Sequence, residues 1–198
     1  MINVDGLILA AGRSSRMEGL NKVHAVLHDK TLLQHVIDRL LPQVSRILIN
    51  ADPQIFDEAP YPVIEDQLRH FRGPLTGLYS ALVSDHLSDA DYLMMTPCDG
   101  PFIPSNLVSE LYNLIVNNDS DIACVRYQGF AQPTFSVWNK RVKGAVERSL
   151  LGDNNGGFKP LLDSLNTVYL DWPEQALNPF YNINSREDLA RAELLKCQ

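Results

Sequence analysis

The stretch Val4–Lys22, VDGLILAAGRSSRMEGLNK, decides how this chain folds. Its short apolar run Leu7-Ile8-Leu9 lies in a segment, Val4 to Ala10, that is predicted as the buried first strand of a sheet. A glycine-bearing loop with two arginines and a lysine follows, and it matches neither the GxGxxG dinucleotide fingerprint nor the GxxxxGK[ST] phosphate loop. Ligands of open α/β sheets collect beyond the carboxyl ends of the strands. The stretch therefore predicts an anion-binding loop at the rim of a sheet.

Beyond this stretch, short apolar runs alternate with segments of helical spacing through about residue 125. Such an alternation is typical of a mostly parallel sheet with helices on both faces. The later part is less regular, and a glycine- and asparagine-rich loop over 152–157 interrupts it. The predicted extended segments are 23–27, 45–50, 63–64, 92–96, 121–125, 134–138 and 167–170, and the predicted helices are 32–41, 74–83, 104–115, 140–151 and a last one from 185.

The composition narrows the class of protein. The chain has 198 residues, 45% hydrophobic and 21% charged, which is ordinary for one soluble globular domain. Its net charge of -7 argues against a nucleic-acid partner, because phosphate-backbone binding needs a basic surface. The 3 widely spaced cysteines indicate reduced thiols rather than a disulfide frame or a zinc site. No signal peptide is recognisable and no apolar run approaches about 20 residues, so we expect a cytoplasmic protein without membrane contact.

The loop after the first strand has the residues that a phosphate site needs. Small residues at Ala10, Ala11 and Gly12 let the backbone approach a ligand, and backbone N–H groups of such a loop can cradle phosphate oxygens. Arg16 offers a planar fork of donors, and Lys22 offers a mobile point charge. The residues alone leave one alternative open, which is a surface turn whose charges are simply solvated.

A carboxylate follows the predicted strand 92–96. Asp99 lies between Pro97 and Pro101, whose rings restrict the backbone and so present the carboxylate rigidly. Mg²⁺ binds one or two protein carboxylates together with substrate phosphates. Asp99 is therefore a candidate metal ligand, with a turn or cap aspartate as the plainer alternative.

Seven segments, in order over nearly the whole chain, resemble the molybdenum cofactor guanylyltransferase family (the molybdopterin-guanine dinucleotide synthesis protein A type). The loop LAAGRSSRMEGLNK resembles its LAGGxxxRMGGxDK signature, GPLTG at 73–77 matches GPLxG, and PCDGPFIP at 97–104 resembles PCDxPxIP. The other four are Asn50-Ala51 with an NAN segment, Glu65-Asp66 with the ED before GPLxG, Gln132-Pro133-Thr134 with a [HQ]PT-like strand start, and Asn182–Ser185 with an NVNT/NINT opening of the last helix. Each motif alone is weak, but the ordered set is specific.

The resemblance implies a Rossmann-like three-layer nucleotidyltransferase fold, with a mostly parallel sheet flanked by helices. It implies transfer of GMP from GTP to the terminal phosphate of molybdenum-bound molybdopterin, with Mg²⁺ and release of pyrophosphate. The predicted nucleotide-binding residues are Leu9, Ala10, Ala11, Gly12, Lys22, Asn50, Asp66, Gly77 and Asp99. The roles of Gly12 and Gly77, which let the backbone or a helix approach the ligand, are inferred from the residues, and the others are carried over by position. The catalytic residues are Lys22 and Arg16 at the phosphates and Asp99 at the metal, while Asn182 and Asn184 face the cofactor phosphate.

The same resemblance gives the expected organisation and partners. We expect one nucleotidyltransferase domain over 1–198, with a nucleotide-binding part over about 1–125 and a cofactor-binding part over about 126–198. GTP and the molybdopterin cofactor are the expected ligands. Molybdenum-insertion and molybdoenzyme-delivery proteins are the expected protein partners.

Three positions depart from the family pattern. Ala11 replaces the second glycine of LAGG, Glu18 stands where glycine is usual, and Asn21 replaces the aspartate before the lysine. AAGRSSRM is closer to the loop of molybdopterin cytidylyltransferases, so a cytidylyltransferase or a sugar-phosphate nucleotidyltransferase is a second hypothesis. A third is a nucleotide- or cofactor-binding subunit without catalysis.

Overall fold

The computed structural model describes residues 3–12, 24–55, 60–68, 73–152 and 157–194. Within these ranges, a 7-stranded sheet has the order β5-β4-β1-β6-β8-β7-β9, and β2 and β3 form a small separate ribbon. The strands are β1 Val4–Leu9, β2 Val26–Leu27, β3 Lys30–Thr31, β4 Arg46–Asn50, β5 Val63–Ile64, β6 Tyr92–Pro97, β7 Ile122–Tyr127, β8 Phe130–Asn139 and β9 Thr167–Trp172.

The sheet is mostly parallel, as the sequence predicts. β1 pairs in parallel with β4 and β6, β4 with β5, and β7 with β9. β8 is the exception, since it runs antiparallel to both β6 and β7. The reversal follows a two-residue turn in which Gln128 and Gly129 have φ values of 51° and 82°. Positive φ at both central residues matches the twist of a tight hairpin. As a result, β7 ends at the same rim as β1, β4 and β6.

Most helices form the two outer layers, and the last one packs with the small ribbon in a third apolar cluster. The helices are α1 Leu32–Leu40, α2 Pro74–Leu82, α3 Leu107–Asn117, α4 Lys143–Leu151, α5 Phe158–Ser164 and α6 Arg186–Glu193. The Thr31 hydroxyl caps α1 by accepting from the Gln34 amide, and the Ser185 hydroxyl caps α6 by accepting from the Asp188 amide. The last helix therefore begins at position 186, directly after its cap and within one residue of the predicted start. α5 has no counterpart among the predicted helices.

Each face of the sheet carries its own apolar core. On one face, α1 and α3 pack through residues such as Val36 and Leu111, both fully buried, against Ile8 and Met94. On the other face, α2, α4 and α5 cover Leu7 and Met95. Full burial of one such side chain contributes about 1.5–3 kcal/mol, so these two layers hold the sheet rigid beneath its rim.

None of the helices in the described ranges has the length and apolarity that a membrane crossing requires.

Candidate active site

Three parallel strands end at one rim and bring their loops together. Leu9 is in register with Asn50 of β4 on one side and with Pro97 of β6 on the other. The ladder continues past the strand ends: the Ala10 amide donates to the Asn50 carbonyl at 2.7 Å and the Cys98 amide donates to the Leu9 carbonyl at 3.0 Å. The segments after β1, β4 and β6 therefore begin from fixed positions.

Asn50 orients the carboxylate of Asp66. Asn50 is only 2% exposed at the end of β4. Its side-chain amide nitrogen Nδ2 donates to the Ile64 carbonyl at 3.1 Å and to Asp66 Oδ1 at 2.9 Å. Both N–H groups of the amide are thereby used inside the protein. Asp66 is bound to Asn50 through one carboxylate oxygen, and its side chain remains partly exposed at the rim.

Burial raises the pKa of Asp66 above its usual value, the neighbouring Glu65 charge raises it further, and the hydrogen bond from Asn50 opposes both. Desolvation disfavours the ionised form of a carboxyl group. At Asp66 it is a larger effect on the pKa than the hydrogen bond from Asn50 or the charge of Glu65. The folded state therefore binds a proton at this position more readily than the unfolded chain does.

This shift predicts a pH-dependent stability difference between the native protein and Asp66→Asn. A carboxyl group whose pKa is raised by folding adds to the free energy of unfolding at low pH. This contribution is complete below the pKa of the unfolded chain, 3.8, and is lost as the pH rises through the higher pKa of the folded state. Asparagine keeps an acceptor for Asn50 and carries no charge. We expect the stability of Asp66→Asn relative to the native protein to increase with pH across this window, measured by urea unfolding at a series of pH values. A constant difference would contradict the raised pKa.

Gly77 of α2 lets the helix lie directly against Asn50. A Cβ atom at this position would be 2.2 Å from Asn50 Oδ1 and 2.7 Å from Leu9 Cδ2. Real Cβ atoms do not approach other atoms this closely. The glycine is therefore required by the packing of α2 on the ends of β1 and β4.

Gly77→Ala is expected to displace Asn50 and to lower the free energy of unfolding by about 1–3 kcal/mol, the usual cost of overpacking. Urea denaturation measures this cost. Gly144→Ala is the matched control, because a Cβ there would meet only the flexible Arg148 guanidinium, at 3.4 Å. Alanine in this helix should leave stability unchanged or raise it by up to about 1 kcal/mol. Equal stability of the two variants would mean that Asn50 moves aside freely.

Asp99 lies at the carboxyl end of β6 and is 7% exposed. Its backbone carbonyl accepts a hydrogen bond from the Ile183 amide at 2.8 Å, which ties the loop to the last segment of the chain. A Cβ on the neighbouring Gly100 would lie 2.6 Å from Phe135 Cζ and 3.3 Å from Asn182 Oδ1. The Gly100 backbone therefore lies between a core aromatic ring and Asn182, directly after the Asp99 carbonyl that is bound to Ile183.

The side-chain oxygen Oδ1 of Asn182 lies beside Gly100 and is unusual because it is buried without a hydrogen-bond partner among the described residues. Buried polar atoms normally have partners, so each exception calls for an explanation. A group that donates a hydrogen bond to this oxygen, or a cation bound to it, would satisfy it beside the Asp99–Gly100 backbone.

Four residues of the predicted loop fall in the range 13–23. Arg16 and Lys22 lie outside the described residues, as do Glu18 and Asn21 of the departures from the family pattern. Ala11 and Gly12 are described and exposed at the rim. The structure therefore brings together Leu9, Ala10, Asn50, Asp66 and Gly77 at one side of the rim, with Asp99 beyond the next strand of the same rim.

Comparison with known proteins now assigns the family. A model of the MobA-like NTP transferase domain matches residues 6–168. The chain belongs to this family. A molybdenum cofactor guanylyltransferase of Rhodopseudomonas palustris (strain BisB5) is 35% identical over 191 residues, covering 94% of this chain and 91% of the relative. Another, of Yersinia pseudotuberculosis serotype O:1b (strain IP 31758), is 36% identical over 189 residues, covering 94% of this chain and 93% of the relative.

Solved structures support the fold of a MobA-like NTP transferase. The molybdopterin-guanine dinucleotide biosynthesis protein A of Archaeoglobus fulgidus superposes with a TM-score of 0.79 at 22% identity, covering 96% of this chain and 97% of that one. A CMP:2-keto-3-deoxy-manno-octonic acid synthetase complexed with CTP superposes with a TM-score of 0.77 at 13% identity, covering 97% of both chains. These likenesses confirm the predicted Rossmann-like α/β architecture. Family membership makes the protein a nucleotidyltransferase.

Two features of this MobA-like site are not evident in the sequence. The orphaned oxygen of Asn182 depends on how the last segment packs against Gly100. The Ser80 hydroxyl, fully buried in α2, accepts a hydrogen bond from the Gln67 amide, 13 residues earlier. Both features depend on how distant segments pack together, and a sequence motif does not indicate such packing.

Proposed function

We propose that the protein transfers GMP from GTP to the terminal phosphate of the molybdenum–molybdopterin cofactor, forming molybdopterin guanine dinucleotide and releasing pyrophosphate. The observation that carries this proposal is the meeting of the Asn50–Asp66 pair, Gly77 and Asp99 at one rim, in a chain that matches guanylyltransferases over more than nine-tenths of its length.

The nucleoside is assigned to the corner formed by β1, β4 and α2. The backbone at Leu9, Ala10, Ala11 and Gly12 lies against guanine and ribose. The carboxylate of Asp66 accepts hydrogen bonds from the nucleoside, and Asn50 holds that carboxylate in place. The triphosphate extends toward the loop that contains Arg16 and Lys22, whose cations are assigned to the phosphate oxygens.

The residues around Asp99 fit a Mg²⁺ ion. The nearly buried carboxylate belongs to Asp99, which adjoins Gly100, and Asn182 Oδ1, buried and without a hydrogen-bond partner among the described residues, lies beside Gly100. Carboxylate and amide oxygens are both hard ligands that Mg²⁺ prefers. Asp99 is the assigned metal ligand. When bound, the ion neutralises charge on the phosphate oxygens. A site with one carboxylate is sufficient, because substrate phosphates and water complete the coordination.

The reaction needs positioning more than proton transfer. An oxygen of the cofactor phosphate attacks the α-phosphorus of GTP, a new P–O bond forms, and the α–β anhydride bond breaks with its electron pair leaving on pyrophosphate. The attacking phosphate is already ionised near neutral pH, since its second pKa is about 6. No general base is required, and the protein holds two anions in line while cations offset the developing charge.

The second half of the chain, about 126–198, is assigned to the cofactor. Asn182 and Asn184 belong to the segment that contacts the Asp99 loop, and they are assigned to the cofactor phosphate. Together the two halves form one functional domain. Molybdenum-insertion and molybdoenzyme-delivery proteins are the proposed partners, and the cytoplasm, where these reactions share their substrates, is the proposed location.

Two measurements test this function. Thermal unfolding with GTP, CTP, ATP or UTP plus Mg²⁺ should show selective stabilisation by GTP, and radiolabelled GMP from α-labelled GTP should appear on the molybdenum cofactor. Selective stabilisation by CTP would favour the cytidylyltransferase hypothesis that Ala11 raises. Binding of GTP without transfer would favour a non-catalytic subunit.

A further inference from the structure

Ser80 of α2 uses both capacities of its hydroxyl group. It is fully buried. Its Oγ donates to the Thr76 carbonyl at 2.9 Å and accepts from the Gln67 backbone amide at 2.9 Å. Because the backbone N–H of Gln67 can only donate, the single hydroxyl proton of Ser80 must point to the Thr76 carbonyl. This fixed polarity makes the hydroxyl a bridge between the helix and the segment after β5.

The two ends of that segment are anchored one or two residues from Asp66. On the upstream side, the Ile64 carbonyl accepts from both Asn50 Nδ2 and the Ala51 amide, each at 3.1 Å. On the downstream side, the Gln67 amide is bound by Ser80. Asp66 lies between these anchors, and its carboxylate is bound to Asn50.

The helix itself gives no reason for a serine here. A serine hydroxyl that bonds back to the carbonyl four residues earlier is neutral or slightly unfavourable for a helix, and alanine is the better helix former. The bond to Gln67 is what distinguishes Ser80 from an ordinary helical serine, because it connects residues 13 apart in the sequence.

We propose that Ser80 is a positioning residue for nucleotide binding: through the Gln67 amide it fixes the backbone that presents the Asp66 carboxylate. This inference rests on the proposed function in assigning the nucleoside to Asp66. Ser80 does not touch the nucleotide. Its removal should loosen Asp66 without removing any group that acts on the phosphates.

The first test compares Ser80→Ala with Ser120→Ala. Ser120 is equally buried but precedes β7 at the opposite rim of the sheet. We expect Ser80→Ala to raise the KM for GTP and its Kd by calorimetry by about three- to tenfold, equivalent to one hydrogen bond, with kcat within about twofold. Ser120→Ala should leave both constants unchanged. Equal effects of the two variants on KM would overturn the proposal.

A double-mutant cycle with Asp66→Asn shows whether Ser80 acts through Asp66. If it does, Ser80→Ala adds no further increase of Kd in the Asp66→Asn background. The same fold increase in both backgrounds would overturn the proposal. The cycle needs only nucleotide binding, so a wild-type protein that binds GTP but transfers no GMP would refute the proposed function and still test Ser80.

Amide hydrogen exchange gives a readout that needs no activity, and its first part needs only the wild-type protein. In the wild-type protein the Gln67 amide should exchange more slowly than an unbonded surface amide, because Ser80 binds it. In Ser80→Ala this protection should disappear while that of the Ile49 amide in β4 persists. Fast exchange at Gln67 in the wild type, or unchanged protection in Ser80→Ala, would overturn the proposal.

Discussion

Asp99→Ala is expected to lower the rate of GMP transfer by about 10²–10³-fold while the protein remains folded. The estimate is the usual cost of removing one charged contact that stabilises developing charge in a transition state. Pre-steady-state transfer of labelled GMP, with GTP and Mg²⁺ in excess, measures the chemical step.

The fold should survive because Asp99 is joined to the last segment of the chain through its backbone. The carbonyl oxygen that accepts from the Ile183 amide is retained in alanine. Strand β6 ends at Pro97, before Asp99, so its ladder with β1 does not depend on this side chain. Urea unfolding of the variant should therefore give a cooperative transition like that of the wild type.

Two further variants separate charge from other effects. Asp99→Asn keeps the shape of the side chain and removes its charge, so it should lose nearly as much rate as alanine if the carboxylate binds the cation. Asp119→Ala removes a carboxylate whose side chain is 91% exposed, near the beginning of β7 and far from the rim, and should transfer GMP at the wild-type rate. A near-normal rate in Asp99→Ala would show that the metal ligand is misassigned.

Much of the sheet was predictable because buried parallel strands appear as continuous apolar runs. The run from Val4 to Ala10 became β1, and the run from Ser45 became β4, each within one residue of the predicted bounds. The predictions that differ from the structure concern turns and short helices. α5 has only seven residues after a glycine loop, and helix α3 begins at Leu107 rather than at Pro104, after two turns. The direction of β8 depends on the turn at Gln128-Gly129, which is not among the predicted elements.

The site was predictable where strand ends determine it. Asn50 is the last residue of β4 and Asp99 follows β6, and neighbouring parallel strands end at a common rim. The resemblance to a family supplied Asp66 and Gly77, but only the structure gives the reason for Gly77, which is the 2.2 Å approach of a Cβ to Asn50 Oδ1. Ser80 was missed because its partner is 13 residues away and depends on how α2 packs. The roles of Arg16 and Lys22 stay predictions.

At the opposite rim, an apolar strand contains one buried charge. Asp5 of β1 is fully buried, and the sequence pattern gave no partner for it. The structure supplies Lys140, whose Nζ lies 2.9 Å from Asp5 Oδ2, and Ser88, whose amide and hydroxyl donate to the two carboxylate oxygens at 2.9 and 2.7 Å. Arg46 Nε is farther away, at 3.8 Å. This network joins β1 to the segment after β8, 135 residues later.

Lys140→Met is expected to lower the free energy of unfolding by about 3 kcal/mol, because it leaves the Asp5 carboxylate buried without its nearest cation. The value is at the low end of the range for a broken buried pair, since Ser88 and Arg46 remain. Urea denaturation measures the loss. Lys159→Met is the matched control: Lys159 is 86% exposed in its pair with Asp163, and exposed pairs contribute little.

The double variant Asp5→Asn/Lys140→Met shows whether the cost comes from the stranded charge. A neutral amide at position 5 can still accept from Ser88, and it no longer needs a cation. The double variant should therefore be more stable than Lys140→Met alone, which is the opposite of what two independent losses would give. If the double variant is less stable than either single variant, the cost lies in lost packing of the lysine stem rather than in an unpaired carboxylate.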